Sequence, residues 1–372
     1  MQPIAILPLP FFHYTSCLKK FQVRGKDETG ETSSFCIIDT ALGILYNVNA
    51  NDLQKGAEVM KKAITAVIIL LLSAMALSGC TESGKKPADQ RLKIYVSFYP
   101  MYFLASEIAG DKAEVITMVP AGAEPHDWEP APKTAAEISK ADMLIYNGAG
   151  MEPWLDKILP NINEKRTRLV DASQGIELLK SSEHDEEEED IEENHEHGIY
   201  DPHIWVSPIR FRQQARNVYE ALLEIDPENS EYYGKRKIEL DSRLSDLGKD
   251  IWDASKHFKS NTIVVSHESF GYFANDFLLE QIAIRGINPQ EEPSPSKMVE
   301  LIRKCREKKV KYVFFEKLTS PKLSETLARE VGAGVLVLND AAGLSEKDIK
   351  SGKDYITVMY ENLENLKKAL GD

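Results

Sequence analysis

The chain lacks any surplus of positive charge: 45 Lys and Arg stand against 59 Asp and Glu, a formal net charge of -14. That excludes the basic face a nucleic-acid partner needs and leaves a surface that attracts cations. Cysteine is also scarce, with four in 372 residues. If the chain is processed before Cys80 and that thiol is acylated, Cys305 has no partner and no internal disulfide can form. Cys305 sits in the apolar-periodic stretch Leu301-Ile-Arg-Lys-Cys305 and reads as a small buried hydrophobe. At 42% hydrophobic and 28% charged residues, the composition is that of a soluble globular protein rather than a polytopic one. The length predicts two lobes, and nothing in it calls for more than a monomer.

The one uncharged apolar run comes late. Met60-Lys-Lys62 precedes Ala63 to Leu77, then Ser78-Gly79-Cys80 and a polar tether. A basic start, a short apolar stretch and small residues before a cysteine form a secretory signal over 60–80, and Leu77-Ser-Gly-Cys80 resembles a lipobox. Cys80 is then the lipidation site, 81–90 is the tether, and the protein lies outside the cytoplasm, anchored to the outer face of its membrane or periplasmic. A transmembrane anchor needs roughly 18 apolar residues, which this run only just reaches. Residues 1–59 show no sustained helical or alternating pattern, and Met60 reads as the natural start.

Beyond the tether, strand-like and helix-like stretches alternate. Strands are predicted at 93–97, 115–119, 143–146 and 168–170, with helices at 99–109, 133–139 and 154–159 between them. After Asn261 the rhythm returns, with strands at 262–266, 281–285, 311–315 and 335–338 and helices at 268–279, 296–308, 321–331 and 355–370. The fold class is therefore α/β: two lobes, 91–227 and 259–372, each a mostly parallel sheet flanked by helices. No proline interrupts Glu228 to His257, and Leu240, Leu244, Leu247, Ile251, Ala254 and Phe258 recur at steps of four and three. That stripe predicts one long rigid helix over 228–258 that links the lobes and limits hinge motion.

Two stretches echo each other across the first lobe. Glu124-Pro-His126-Asp-Trp128 and Asp201-Pro-His203-Ile-Trp205 each set a histidine directly after a proline and two residues before a tryptophan. Proline stiffens the backbone there, which is how a ligand is held still. His267 in Ser266-His-Glu-Ser-Phe270 and Glu316 in Tyr312-Val-Phe-Phe-Glu316 each stand where a short apolar run stops. In open α/β sheets that edge binds ligands. Three imidazoles and a carboxylate form a closed set for a borderline-soft divalent cation, with zinc the first candidate. Between Glu183 and Glu196 lie ten acidic residues, accompanied by His184, His195 and His197. This 183–197 loop reads as solvated, and its imidazoles as a weak metal-capture device.

The motifs Glu124-Pro-His126-Asp-Trp-Glu129-Pro130, Asn147-Gly-Ala-Gly150-Met-Glu-Pro-Trp154, Asp201-Pro-His203-Ile-Trp205, Ser266-His267-Glu-Ser-Phe270-Gly-Tyr-Phe273 and Glu291-Glu-Pro-Ser-Pro295 resemble those of the zinc and manganese solute-binding lipoproteins of ABC transporters. The likeness covers roughly residues 91 to 370. It implies a non-enzymatic protein that hands a divalent metal to a membrane permease, with His126, His203, His267 and a second-lobe carboxylate as ligands. Glu316 is the favoured fourth ligand and Asp340 the alternative. His267 and the histidine-bearing acidic loop tilt the choice to zinc. A zinc hydrolase is the rival class, disfavoured because no His-Glu-x-x-His helix is present and four protein ligands close the sphere. An adhesin lipoprotein is a third reading.

Overall fold

A computed structural model of the chain describes residues 91–181 and 200–371, together with two short N-terminal strands. These strands, β1 (Gln22–Lys26) and β2 (Thr32–Cys36), pair antiparallel with Val23 opposite Phe35. They fall in a unit of their own, residues 1–84. The sequence reading missed them because QVRGK and TSSFC are short and carry no alternating apolar face. Cys80 and the stretch with His184, His195 and His197 lie outside the described residues.

The rest forms one compact unit, and its first lobe is a four-stranded parallel sheet. The strands β3 (Leu92–Val96), β4 (Ala113–Thr117), β5 (Met143–Tyr146) and β6 (Arg168–Asp171) are ordered β4-β3-β5-β6. Ile94 stands opposite both Val115 and Met143. Near-continuous apolar runs in β3 and β5 bury both faces, as parallel strands covered by helices require. The helices are α1 (Tyr99–Ala109), α2 (Pro132–Ile138) and α3 (Leu155–Ile158).

Two helices then cross between the lobes. The first, α4 (Pro208–Ile225), was not anticipated. Its start is signalled by Ser207, whose hydroxyl accepts from the Arg210 amide, and by Pro208 in the first turn. The second, α5 (Ser230–Ser255), is the expected linking helix, 26 residues and about 39 Å long. Its stripe Leu240, Leu244, Leu247 and Ile251 is buried. α5 packs along α4 and reaches both lobes, touching α1 on one side and the final helix, α10 (Tyr355–Leu370), on the other. Arg243 on α5 donates to Glu107 of α1 at 2.8 Å and to Asp354, the capping residue of α10, at 2.7 Å.

The second lobe holds β7 (Thr262–Val265), β8 (Glu280–Ala283), β9 (Tyr312–Phe315) and β10 (Gly334–Val337). All pairing is parallel, as the ladders β7/β8 and β9/β10, with β7 lying beside β9. Helices α6 (Gly271–Asp276), α7 (Pro295–Glu307), α8 (Lys322–Val331) and α9 (Glu346–Lys350) cover it. The helix predicted from residue 268 begins only at Gly271, because His267 to Phe270 form a loop in which the Glu268 amide donates to the Gly286 carbonyl at 3.1 Å. One hydrophobic core runs through both lobes, from Ile94 and Leu104 through Leu244 to Ile263, Phe314 and Leu363.

Candidate metal centre

Each anticipated ligand stands beyond the carboxyl end of a strand or on the loop that follows. His126 lies on the loop after β4, His203 on the loop before α4, His267 two residues after β7, Glu316 directly after β9 and Asp340 after β10. Although up to 214 positions separate them in the chain (126 to 340), the lobes bring them to one place.

The imidazoles converge on their Nε2 atoms. His126 Nε2 and His203 Nε2 are 3.1 Å apart, and His203 Nε2 and His267 Nε2 are 3.3 Å apart. One ligand atom from each of the three lies within 4.8 Å of the other two. Atoms bound about 2.05 Å from zinc stand roughly 3.3 Å apart along the edges of a tetrahedron, so the spacing fits three corners of a zinc sphere. His203 and His267 are buried, at 0% and 1% exposure, and His126 is half-buried.

What holds each ring differs. His203 Nδ1 meets Asp201 Oδ1 at 2.8 Å, and the same oxygen accepts the His203 backbone amide at 2.9 Å. Asp201 thereby fixes the tautomer that leaves Nε2 free for a metal. Its place is set by the second lobe: Tyr272 donates its hydroxyl to the Asp201 carbonyl at 2.9 Å, and a Cβ on Gly271 would come within 2.3 Å of Asp201 Oδ2. Only glycine fits there. His267 Nδ1 meets Glu316 Oε2 at 2.7 Å, so Glu316 grips the ring nitrogen that faces away from the other histidines. Asp340 joins His267 and Glu316 in a second tight group, with its Oδ1 accepting the Ala342 amide at 3.1 Å.

The electrostatics follow from this packing. Burial, and then the neighbouring imidazoles, drive the pKa of His126 and His203 well below the usual histidine range, so both are neutral and ready to coordinate. Burial works the same way on His267, but the charge and hydrogen bond of Glu316 outweigh it and push this group up to about 9. Burial, followed by the charge of Glu316, raises Asp340 to about 7. Asp201 is likewise raised to about 7 by burial.

Other motif residues take roles the sequence left open. Glu129 is exposed and paired with Lys157 on the surface. Trp128 packs edge-on against Trp154. Trp205 does more than pack: its indole donates to the Asp340 carbonyl at 2.8 Å, and Tyr355 donates to the Trp205 carbonyl at 2.7 Å, tying one ligand loop to another across the lobes. Glu268 precedes α6 rather than starting it, and His257 is exposed. The contacts of Asp201 and Glu316 with the Nδ1 atoms of His203 and His267 were not anticipated. The Asp-x-His spacing at 201–203 was the available signal for the first, and nothing local announces the second. Cys305 is buried and unbridged, as expected.

Fold and site together define a two-lobed solute-binding protein built around a metal-ion centre. Residues 94–369 match the family described as the zinc-uptake complex component A, periplasmic, and the chain belongs to that family. It is 36% identical over 307 residues to the high-affinity zinc uptake system protein ZnuA of Bacillus subtilis, covering 82% of this chain and 96% of that one. To the zinc-binding lipoprotein AdcA of Streptococcus pneumoniae it is 35% identical over 309 residues, 83% of this chain but 61% of the longer relative. The crystal structure of the Zn(II)-bound ZnuA-like domain of that AdcA superposes with a TM-score of 0.65 at 32% identity, covering 76% of this chain and all of that one. A laminin-binding protein, Lmb of Streptococcus agalactiae, described as having adhesin and metal-transporting activity, superposes with a TM-score of 0.66 at 28% identity. The family is a metal-uptake component and not an enzyme, which removes the hydrolase reading.

Proposed function

We propose that this protein captures zinc outside the cytoplasm and delivers it to the permease of an ABC transporter. The observation that carries the reading is the spacing of the three converging Nε2 atoms, 3.1 and 3.3 Å along two edges. His126, His203 and His267 supply three corners of the coordination sphere and Asp340 the fourth. Glu316 is reassigned from the expected fourth ligand to the carboxylate that orients His267, because it already occupies Nδ1 of that ring. Nitrogen-rich tetrahedral coordination suits zinc, whereas manganese favours an oxygen-rich octahedral site. A centre closed by four protein ligands has no open position for reacting water, which accords with carriage rather than catalysis.

Anchoring through Cys80, function as a monomer and capture by His184, His195 and His197 belong to the same proposal. Among the described residues no helix is long and apolar enough to cross a membrane. An adhesin activity alongside uptake is the second reading, favoured by the likeness to the laminin-binding proteins. Competitive titration of metal-free protein with a zinc chelator tests the main reading: one tight zinc per chain is expected, and no tight site, or a site that prefers manganese, contradicts it.

A further inference from the structure

The second resemblance motif, Asn147-Gly-Ala-Gly150-Met-Glu152, contributes no ligand, yet its polar groups are buried against the His203 loop. Asn147 and Gln214 are fully buried and Glu152 is 4% exposed. Asn147 Nδ2 donates to the Pro202 carbonyl at 2.9 Å, one residue before His203. Gln214 of α4 donates its Nε2 to Asn147 Oδ1 at 2.8 Å, which fixes the amide so that its nitrogen faces Pro202. Glu152 accepts the backbone amides of Asn147 at 2.8 Å and Gly148 at 3.1 Å. Between them Gly148, Ala149 and Gly150 all take left-handed backbone angles, φ +80, +54 and +84. Glycine takes such angles freely, whereas Ala149 does so at a cost and persists there because the surroundings over-determine it. Here the run folds the end of β5 so that the Asn147 side chain meets the Pro202 carbonyl.

We propose that Asn147, locked by Gln214 and Glu152, is a positioning residue that sets where His203 Nε2 stands, and through it the preference of the site for a small tetrahedral ion. The inference rests on the zinc reading above and extends it from the ligands to the buried chain Gln214–Asn147–Pro202. His203 has two anchors. Asp201 fixes the ring's rotation and tautomer, and Asn147 fixes the backbone turn that carries the ring. Releasing the second lets Nε2 drift from its 3.1 and 3.3 Å neighbours while every ligand remains present. A looser centre loses zinc affinity first and tolerates larger, octahedral ions better.

The test uses Asn147→Asp, which keeps the side chain's size but sets an oxygen against the Pro202 carbonyl, and Gln214→Met, one step further from the metal. Zinc and manganese affinities are measured by chelator competition, and cobalt(II) is used as a spectroscopic probe of tetrahedral geometry. Asn147→Asp is expected to lose roughly 10- to 100-fold in zinc affinity with a smaller change for manganese, and to weaken the visible cobalt bands. Gln214→Met should change both readouts in the same direction and by less. If Asn147→Asp keeps the parental zinc-to-manganese ratio and cobalt spectrum, the positioning role is overturned, whatever happens to its melting temperature. Should Asn147→Asp fail to fold, a parental cobalt spectrum in Gln214→Met overturns it equally. A parent protein that itself gives no tetrahedral cobalt spectrum contradicts the zinc reading and this inference together.

Discussion

Neutral and protonated imidazoles share the site, and the balance sets its pH dependence. Zinc must displace the proton from His267, whose pKa stands at about 9, and needs Asp340 ionised, whose pKa stands at about 7. Protons therefore compete with metal on both groups, and affinity falls as pH falls. Between pH 9 and 7 one proton should leave per zinc bound, giving about a tenfold loss of apparent affinity per pH unit. Below pH 7 the dependence should steepen. Chelator competition at pH 6, 7 and 8 checks this, and a flat profile down to the ordinary histidine range contradicts the Glu316–His267 pairing.

Ligand removal is the sharper test at this scale. Binding of the order of 10 to 16 kcal/mol over four ligands makes each worth about 3 kcal/mol, so His203→Ala and Asp340→Ala should each lose at least roughly 100-fold. Glu316→Gln should lose less, since it removes an orienting group and not a bond to the ion. An equal or larger loss in Glu316→Gln than in Asp340→Ala restores Glu316 as a ligand. The convergence of the three histidines was legible because proline and tryptophan flank two of them and a strand end precedes the third. The contact of Glu316 with Nδ1 of His267 was not, because it depends on which nitrogen of that ring faces the other histidines, and only the docked lobes determine that.

Among the elements, the buried stripe of α5 offers a direct test of stability. Leu244 is fully buried on its stripe, and Leu244→Ala should cost about 2 to 5 kcal/mol in urea unfolding by leaving a cavity. Zinc stoichiometry of the folded variant should stay at the parental value, since the helix lies away from the ligands. The linking helix was readable from a single apolar stripe free of proline. Its neighbour α4 was not, although Ser207-Pro208 marks its start, because the Asp-Pro-His motif just before it drew the reading toward a loop. Strand positions in both lobes came within about two residues of expectation, the usual margin for pattern reading. The irregular loops that position the site have no periodicity to read. Gly271 is the clearest case: nothing in Ser269-Phe-Gly271 announces that a side chain from the other lobe presses on it.

Across the whole molecule, the two lobes are joined by more than the linker. Trp205 to Asp340, Tyr272 to Asp201 and Tyr355 to Trp205 cross between them directly, and Arg243 of the linking helix holds Glu107 of one lobe and Asp354 of the other. With a continuous core beneath, this favours small adjustments around the ion over wide opening. Zinc at roughly 1,000 times its dissociation constant should stabilise the folded chain by about 4 kcal/mol, an upward shift in Tm on the order of 10 °C. Scanning calorimetry with and without zinc measures it, and an unchanged Tm contradicts tight binding to the native state.

The central claim, that three imidazoles and one carboxylate from distant parts of the chain share a single zinc ion, is tested most directly by X-ray absorption at the zinc edge of the loaded protein. The account predicts four nitrogen or oxygen neighbours at about 2.0 to 2.1 Å, with the outer-shell scattering of three imidazole rings. A six-oxygen shell, or scattering from fewer than three rings, would contradict it.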